Sequence, residues 1–249
     1  MRQRTRSGRV ARPLRAQVSS PFTEAGRAVS GRRPLPRAAR RGHEQGGTTR
    51  APVSLFGKRL TPWPGLHEKA LGAEAAEFLA EQLANGLIVG LFQGRVEAGP
   101  RALGNRSILA SPREPGVIER LNATVKFREP FRPFAPMVLA ERASEFFTLG
   151  QEAPYMSMAS GVTDKARELV PAIVHANGTS RLQTVTRSQN PFMHDVLSAF
   201  ARRTGVPVLI NTSLNVKGKP ICGTPEMALD CLADSGLDAL LLEERWITK

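Results

Sequence analysis

Cysteine, tyrosine and tryptophan are scarce in this 249-residue chain, with two, one and two residues respectively. Two cysteines, Cys222 and Cys231, make no disulfide framework; they point to a reducing, cytoplasmic setting with burial as their role. The four histidines (His43, His67, His175, His194) show no ligand spacing, so no protein-bound metal is expected. Long apolar runs are missing too. None approaches the roughly 18–20 residues that a membrane-spanning helix needs. No apolar stretch follows the early arginines, which argues against a secretory leader. Acidic side chains are scarce in one region only. Residues 1–60 hold 15 basic and 2 acidic side chains, residues 61–249 hold 20 of each, and the net charge of +13 therefore sits in the first quarter.

That first quarter is rich in Arg, Gly, Pro, Ala and Ser and has no apolar periodicity at 2 or 3.6. It cannot bury enough surface to offset its ordering entropy, so residues 1–60 are expected to be a disordered basic extension. Three roles compete for it: a cationic arm for nucleic-acid phosphates, an organelle transit peptide, or a non-selected extension. Fourteen of its 15 basic residues are Arg and only two aromatic residues, Phe22 and Phe56, fall among them, which favours the last.

Order is expected from about Trp63, with residues 61–249 as one domain. Leu71, Ala75, Phe78, Leu79 and Leu83 share one face of a helix predicted over Leu66 to Asn85, with Gly86 as its stop. Apolar runs predict strands at Leu87 to Phe92, Ala135 to Ala140, Tyr155 to Val162, Arg181 to Thr186, Pro207 to Ile210 and Leu237 to Leu242. Helices fit between them at Gly116 to Val125, Ala140 to Phe147, Pro191 to Thr204 and Pro225 to Asp234. The last opens on Thr224 as N-cap with Pro225 at its first position. This alternation predicts an α/β domain.

Four segments carry candidate chemistry. Gly94 to Ala110 (GRVEAGPRALGNRSILA) interleaves glycine kinks with Arg95, Arg101 and Arg106, allowing backbone N–H groups and forked guanidinium groups to meet an anion. Thr124 to Pro136 (TVKFREPFRPFAP) sets Lys126, Arg128 and Arg132 on a connection stiffened by three prolines. Gly178 to Val185 (GTSRLQTV) opens a strand on Arg181. Val206 to Ile221 runs into Asn211, Thr212, Ser213 and Asn215, where the C-terminal end of a parallel strand would bind a ligand. Each segment also has a plain structural account, as a solvated loop, a helix-end cation or a set of Asx turns. No nucleophile elbow and no GxxxxGK[ST] loop is present. What the segments share is chemistry for holding a nucleotide and a second small anion, with positioning and charge neutralisation supplying catalysis.

Taken in order, GRVEAGPRALGNRSILASPR, LNATVKFREPFRPFAP, NGTSRLQTV and VLINTSLNVKGKPI with TPEMAL resemble the C-terminal domain of O-carbamoyltransferases. The likeness runs over roughly residues 66–247. It implies a YrdC-like domain with a twisted mixed sheet and flanking helices, which makes carbamoyl adenylate from carbamoyl phosphate and magnesium-bound ATP. A Kae1-like N-terminal domain (actin/hexokinase-like ATPase fold), holding the family's metal, would then move the carbamoyl group to an acceptor hydroxyl. On that resemblance Arg101, Arg132 and Arg181 neutralise phosphates and Lys126 stabilises charge on the α-phosphate. Ser213 hydrogen-bonds a phosphate or carbamoyl oxygen, and Asn211 and Asn215 orient the nucleotide. Two positions depart from the pattern: Ser111 and Met227 stand where acids are usual. A larger departure is the Kae1-like half, for which residues 1–60 are no substitute. The expected function is thus a truncated or split carbamoyltransferase that activates the carbamoyl group for a separate Kae1-like half. A nucleic-acid-binding module and an inactive gene remnant are the alternatives.

Overall fold

Short apolar runs, each closed by a turn or a capped helix, assemble here into a single sheet. The structure, a computed structural model, describes residues 65–114, 116–127 and 133–249. The basic extension of residues 1–60, together with Arg128 and Arg132, lies outside the described residues. In chain order the elements are β1 (His67–Ala70), α1 (Ala75–Ala84), β2 (Val89–Phe92), β3 (Arg106–Ala110), α2 (Val117–Leu121) and β4 (Ala135–Leu139). Then come β5 (Ser160–Gly161), α3 (Asp164–Leu169), β6 (Thr179–Ser180), β7 (Gln183–Val185) and α4 (Pro191–Thr204). The chain closes with β8 (Val208–Ser213), α5 (Pro225–Ala233), β9 (Ala239–Leu242) and β10 (Arg245–Thr248).

Among the described residues, eight strands form one mixed sheet in the order β1-β10-β9-β2-β3-β8-β4-β7, and β5 pairs with β6 beside it. Strands β2/β9 and β4/β7 are parallel and the other neighbours antiparallel. β2, β3, β4 and β9 are buried at every residue, as strands covered on both faces are. Helices α1 and α4 pack together, Phe78 of α1 meets Trp246 of β10 edge-on at 5.1 Å, and α5 lies against β9 and β2. The mixed sheet with flanking helices matches the expected fold class. Cys222 and Cys231 are both free and buried, with Cys222 closing on the carbonyl of Met227.

Local chemistry set several boundaries correctly. Asn190 Oδ1 accepts the Met193 N–H (3.0 Å) at the start of α4, and Thr224 Oγ1 accepts the Met227 N–H (3.3 Å) at the start of α5. Gly86, at φ +86°, follows the end of α1. Other expectations need correction. The predicted helix from Leu66 begins as strand β1, whose exposed residues take their structure from pairing with β10 rather than from local pattern. Of Tyr155 to Val162 only Ser160–Gly161 is a strand, since Met156 turns left-handed at φ +52°. Residues 106–110 are strand β3 rather than the end of a glycine-rich loop. Strand β8 is antiparallel to both neighbours, so its polar end is not the C-terminal end of a parallel strand.

Candidate functional site

The connection between β2 and β3 carries the glycine-rich segment, and a buried frame holds its shape. Glu97 accepts three backbone N–H bonds on one carboxylate oxygen, from Leu103 (2.7 Å), Asn105 (2.9 Å) and Arg106 (3.2 Å). Arg106 is only 4% exposed. Its guanidinium stacks 3.5 Å above the Phe92 ring and donates to the carbonyls of Gln93 (2.6 Å), Gly94 (3.0 Å) and Asn105 (3.0 Å). Burial pulls its pKa below the usual arginine value, against the opposing fields of Glu97 and Glu243. Arg106 is thus committed to the frame, whereas Arg95 and Arg101 are exposed. Gly104 stands at φ +108°, where a Cβ would lie 2.7 Å from Met193 Cγ; glycine alone lets the loop rest on α4.

Two side chains from the sheet pin the same loop from below. Asn211, 1% exposed, donates to the carbonyl of Ala102 (3.1 Å) and to Gln183 Oε1 (2.9 Å). Gln183 in turn donates to the carbonyl of Leu103 (2.9 Å). Arg101, the residue before this doubly held pair, lies close enough to Arg181 for its charge to be felt there. Burial, and then Arg101, lower the pKa of Arg181. Arg181 Nε is buried with no hydrogen-bond partner, and no carboxylate pairs with Arg101 or Arg181 among the described residues.

A second cluster gathers around Lys126. A π-helical turn, Asn122–Lys126, extends α2 and ends where Phe127 turns left-handed at φ +46°. The Lys126 side chain, on a residue 7% exposed, donates to the carbonyls of Ser213 (2.5 Å) and Asn215 (3.0 Å) and to Asn215 Oδ1 (2.8 Å). Ser213 Oγ lies 3.4 Å from the ammonium and donates to Asn215 Oδ1 at 2.7 Å. Register ties both clusters to one end of the sheet. Ser213 faces Ser107, Asn211 faces Ala135, and Gln183 faces Met137, so the end of β8 meets the starts of β3, β4 and β7.

Of the residues singled out from sequence, Lys126, Ser213 and Asn215 come together, as do Arg101 and Arg181. Asn211 sits behind the loop rather than in front of it. Glu97, Arg106 and Gln183 set the loop's shape without having been given that task; an acid among the arginines of a glycine-rich segment was the available signal. A cleft of about 830 Å³ adjoins the other side of the loop, lined by Glu97, Asn105, Tyr155, Gln183, Asn190 and Phe192 among others. Neither Lys126 nor the Arg101–Arg181 pair lines it.

The family model for the carbamoyltransferase C-terminus matches residues 80–249. The chain belongs to that family. It is 45% identical over 195 residues to the nodulation protein NolNO of Sinorhizobium fredii (strain NBRC 101917 / NGR234), covering 77% of this chain and 29% of the relative. It is 39% identical over 189 residues to the 3'-hydroxymethylcephem-O-carbamoyltransferase of Amycolatopsis lactamdurans, covering 76% and 34%. The carbamoyltransferase-family chain therefore spans about a third of the length of these curated relatives. Full-length HypF, solved in a phosphate- and nucleotide-bound form, shares the fold: TM-score 0.50 and 19% identity over 71% of this chain and 22% of that one. No helix among the described residues is long and apolar enough to cross a membrane.

Proposed function

We propose that this carbamoyltransferase C-terminal domain binds ATP and carbamoyl phosphate at the shared end of β3, β4, β7 and β8 and forms carbamoyl adenylate. One observation carries the reading: Arg181, its Nε buried without a hydrogen-bond partner, feels the charge of Arg101, and neither arginine has a carboxylate partner among the described residues. Two like charges held in place this way are stabilised when an anion arrives. Arg101 and Arg181, with Arg132 from the segment outside the described residues, neutralise the phosphates. Lys126 supplies positive charge to the α-phosphate, and Ser213 and Asn215 set the direction of its ammonium. Asn211 orients the nucleotide indirectly, through the Arg101 loop.

Mass balance requires one water. Carbamoyl phosphate loses its phosphate to water, and the carbamate left behind displaces pyrophosphate from the α-phosphorus of ATP. Magnesium enters with ATP as part of the substrate. The transfer from carbamoyl adenylate to an acceptor hydroxyl is assigned to a Kae1-like N-terminal half, in keeping with relatives about three times longer than this chain.

The test is pyrophosphate release by the full chain from magnesium-bound ATP, with and without carbamoyl phosphate, alongside Arg181→Ala. Release that needs both substrates and the arginine is the expected result. Folded protein that neither binds ATP nor releases pyrophosphate would overturn the reading.

A further inference from the structure

The turn before β6 brings another titratable side chain to Arg181. His175 donates its backbone N–H to the Thr179 carbonyl (2.8 Å) and accepts the Gly178 N–H on its own (2.9 Å). Gly178 sits at φ +75°, and a Cβ there would lie 2.8 Å from a guanidinium nitrogen of Arg167 in α3, so the turn is packed from beneath. Strand β6 leaves this turn, pairs with β5, and delivers Arg181 immediately after Ser180. His175 and Arg181 are thereby held at the two ends of one short, doubly bonded segment.

Hydrogen bonding sets the ring's tautomer. Thr179 Oγ1 donates its one proton to Asn177 Oδ1 (2.8 Å), so it can only accept from His175 Nδ1, 3.2 Å away. Nδ1 then carries the hydrogen, and Nε2 is bare while the ring is neutral. Among the described residues Nε2 has no hydrogen-bond partner in the protein. Burial and then the charge of Arg181 hold the imidazole below its ordinary pKa of 6.5. Arg181 is the charged group that reaches the ring from its own segment; Arg167, 3.8 Å from Asp164, is the charged group beneath the turn.

An anion on Arg181 reverses this balance, because it cancels the arginine's field at the ring, which Thr179, two residues before Arg181, already holds through Nδ1. We propose that His175 is a further, switchable cation of the phosphate site, protonated when an oxyanion occupies Arg181 and donating its Nε2–H to that oxyanion. The inference rests on reading Arg101 and Arg181 as phosphate ligands. Binding then takes up one proton. Affinity falls with rising pH between the free and liganded pKa values and is flat below the first and above the second.

The experiment follows the histidine rings of the full chain by long-range proton–nitrogen NMR, with and without sulfate, an oxyanion whose charge is constant over the range used. His175→Gln assigns the signal. The free ring is expected as the Nδ1–H tautomer, titrating below the usual histidine value; saturating sulfate should move that titration up by about one pH unit or more. Sulfate affinity should fall about tenfold per pH unit between the two values in the wild type and stay flat in His175→Gln. Sulfate binding that needs Arg181 but leaves the His175 titration unmoved, or an Nε2–H tautomer in the free ring, would overturn the inference and leave the phosphate reading standing. Sulfate binding that is unimpaired in Arg181→Ala, or no sulfate binding to the wild type at all, would overturn both.

Discussion

Asn211 and Gln183, on strands β8 and β7 either side of β4, bond side chain to side chain at 2.9 Å and hold the successive carbonyls of Ala102 and Leu103. The exposed cation of the site, Arg101, is positioned by two uncharged amides that no ligand need touch. Gln183→Ala strands the Leu103 carbonyl and one Asn211 donor bond in the interior. We expect a loss of about 1–3 kcal/mol in urea unfolding, together with weaker ATP binding by calorimetry as Arg101 is released.

Arg101, in the loop before β3, and Arg106, the first residue of β3, have opposite tasks. Arg106→Leu should lower the melting temperature by several degrees, since three carbonyls and the Phe92 ring lose their cation. Arg101→Leu should leave melting unchanged and weaken ATP binding about tenfold or more. The pair of variants, compared by calorimetry and thermal melts, separates frame from grip. The same melting loss in both would refute the distinction.

Lys126 holds the end of β8 as well as facing the site. Lys126→Met removes the donor for the Ser213 and Asn215 carbonyls and should cost about 1–3 kcal/mol, with pyrophosphate release abolished. Lys126→Arg should recover neither property, because a planar fork cannot converge on these acceptors as an ammonium does. Urea unfolding and a pyrophosphate assay decide.

Gly236 donates its N–H to the Thr124 carbonyl (2.8 Å) and thereby anchors the π turn that presents Lys126. An added Cβ would lie 2.2 Å from Thr124 Cβ. Gly236→Ala should cost about 1–3 kcal/mol, and Thr124→Ser should not relieve it, since the clash is with the Cβ that serine retains. Recovery of stability in the double variant would show that the contact is with the threonine's far atoms instead.

Glu145 governs part of the acid response. Hydrogen bonds from Arg142 and then Lys165 hold its pKa at about 2, against an ordinary value of 4.5. The folded state has the lower pKa, so this contribution is full above pH 4.5 and is lost as pH falls through about 2. Glu145→Gln should flatten that portion of the profile. Urea midpoints measured across it would show an unchanged slope if the carboxylate were irrelevant.

Helix ends were legible in the chain because capping is local: Thr224, Pro225 and Gly86 act on neighbours within a few residues. The apolar cores of β2, β4 and β9 were legible for a related reason, as buried strands read as unbroken apolar runs. β1 and β10 were not, since His67–Ala70 owes its extended form to partners at Arg245–Thr248. The residue types of the proposed anion site, arginines and a lysine among glycines and prolines, were also visible, and so was the family to which they point.

What the chain alone determined, then, is composition and short-range geometry: which segments turn, which cap, and which carry cations. Only the tertiary structure decided which cation is spent. Arg106 and Arg101 are five residues apart in one glycine-rich segment, and nothing in its local sequence separates them. The difference is that β3 carries Arg106 under the loop and onto Phe92, while Gln183 and Asn211 lift Arg101 to the rim beside Arg181. The free energy of a charged group depends on what surrounds it in space, and that environment comes from strands distant in sequence.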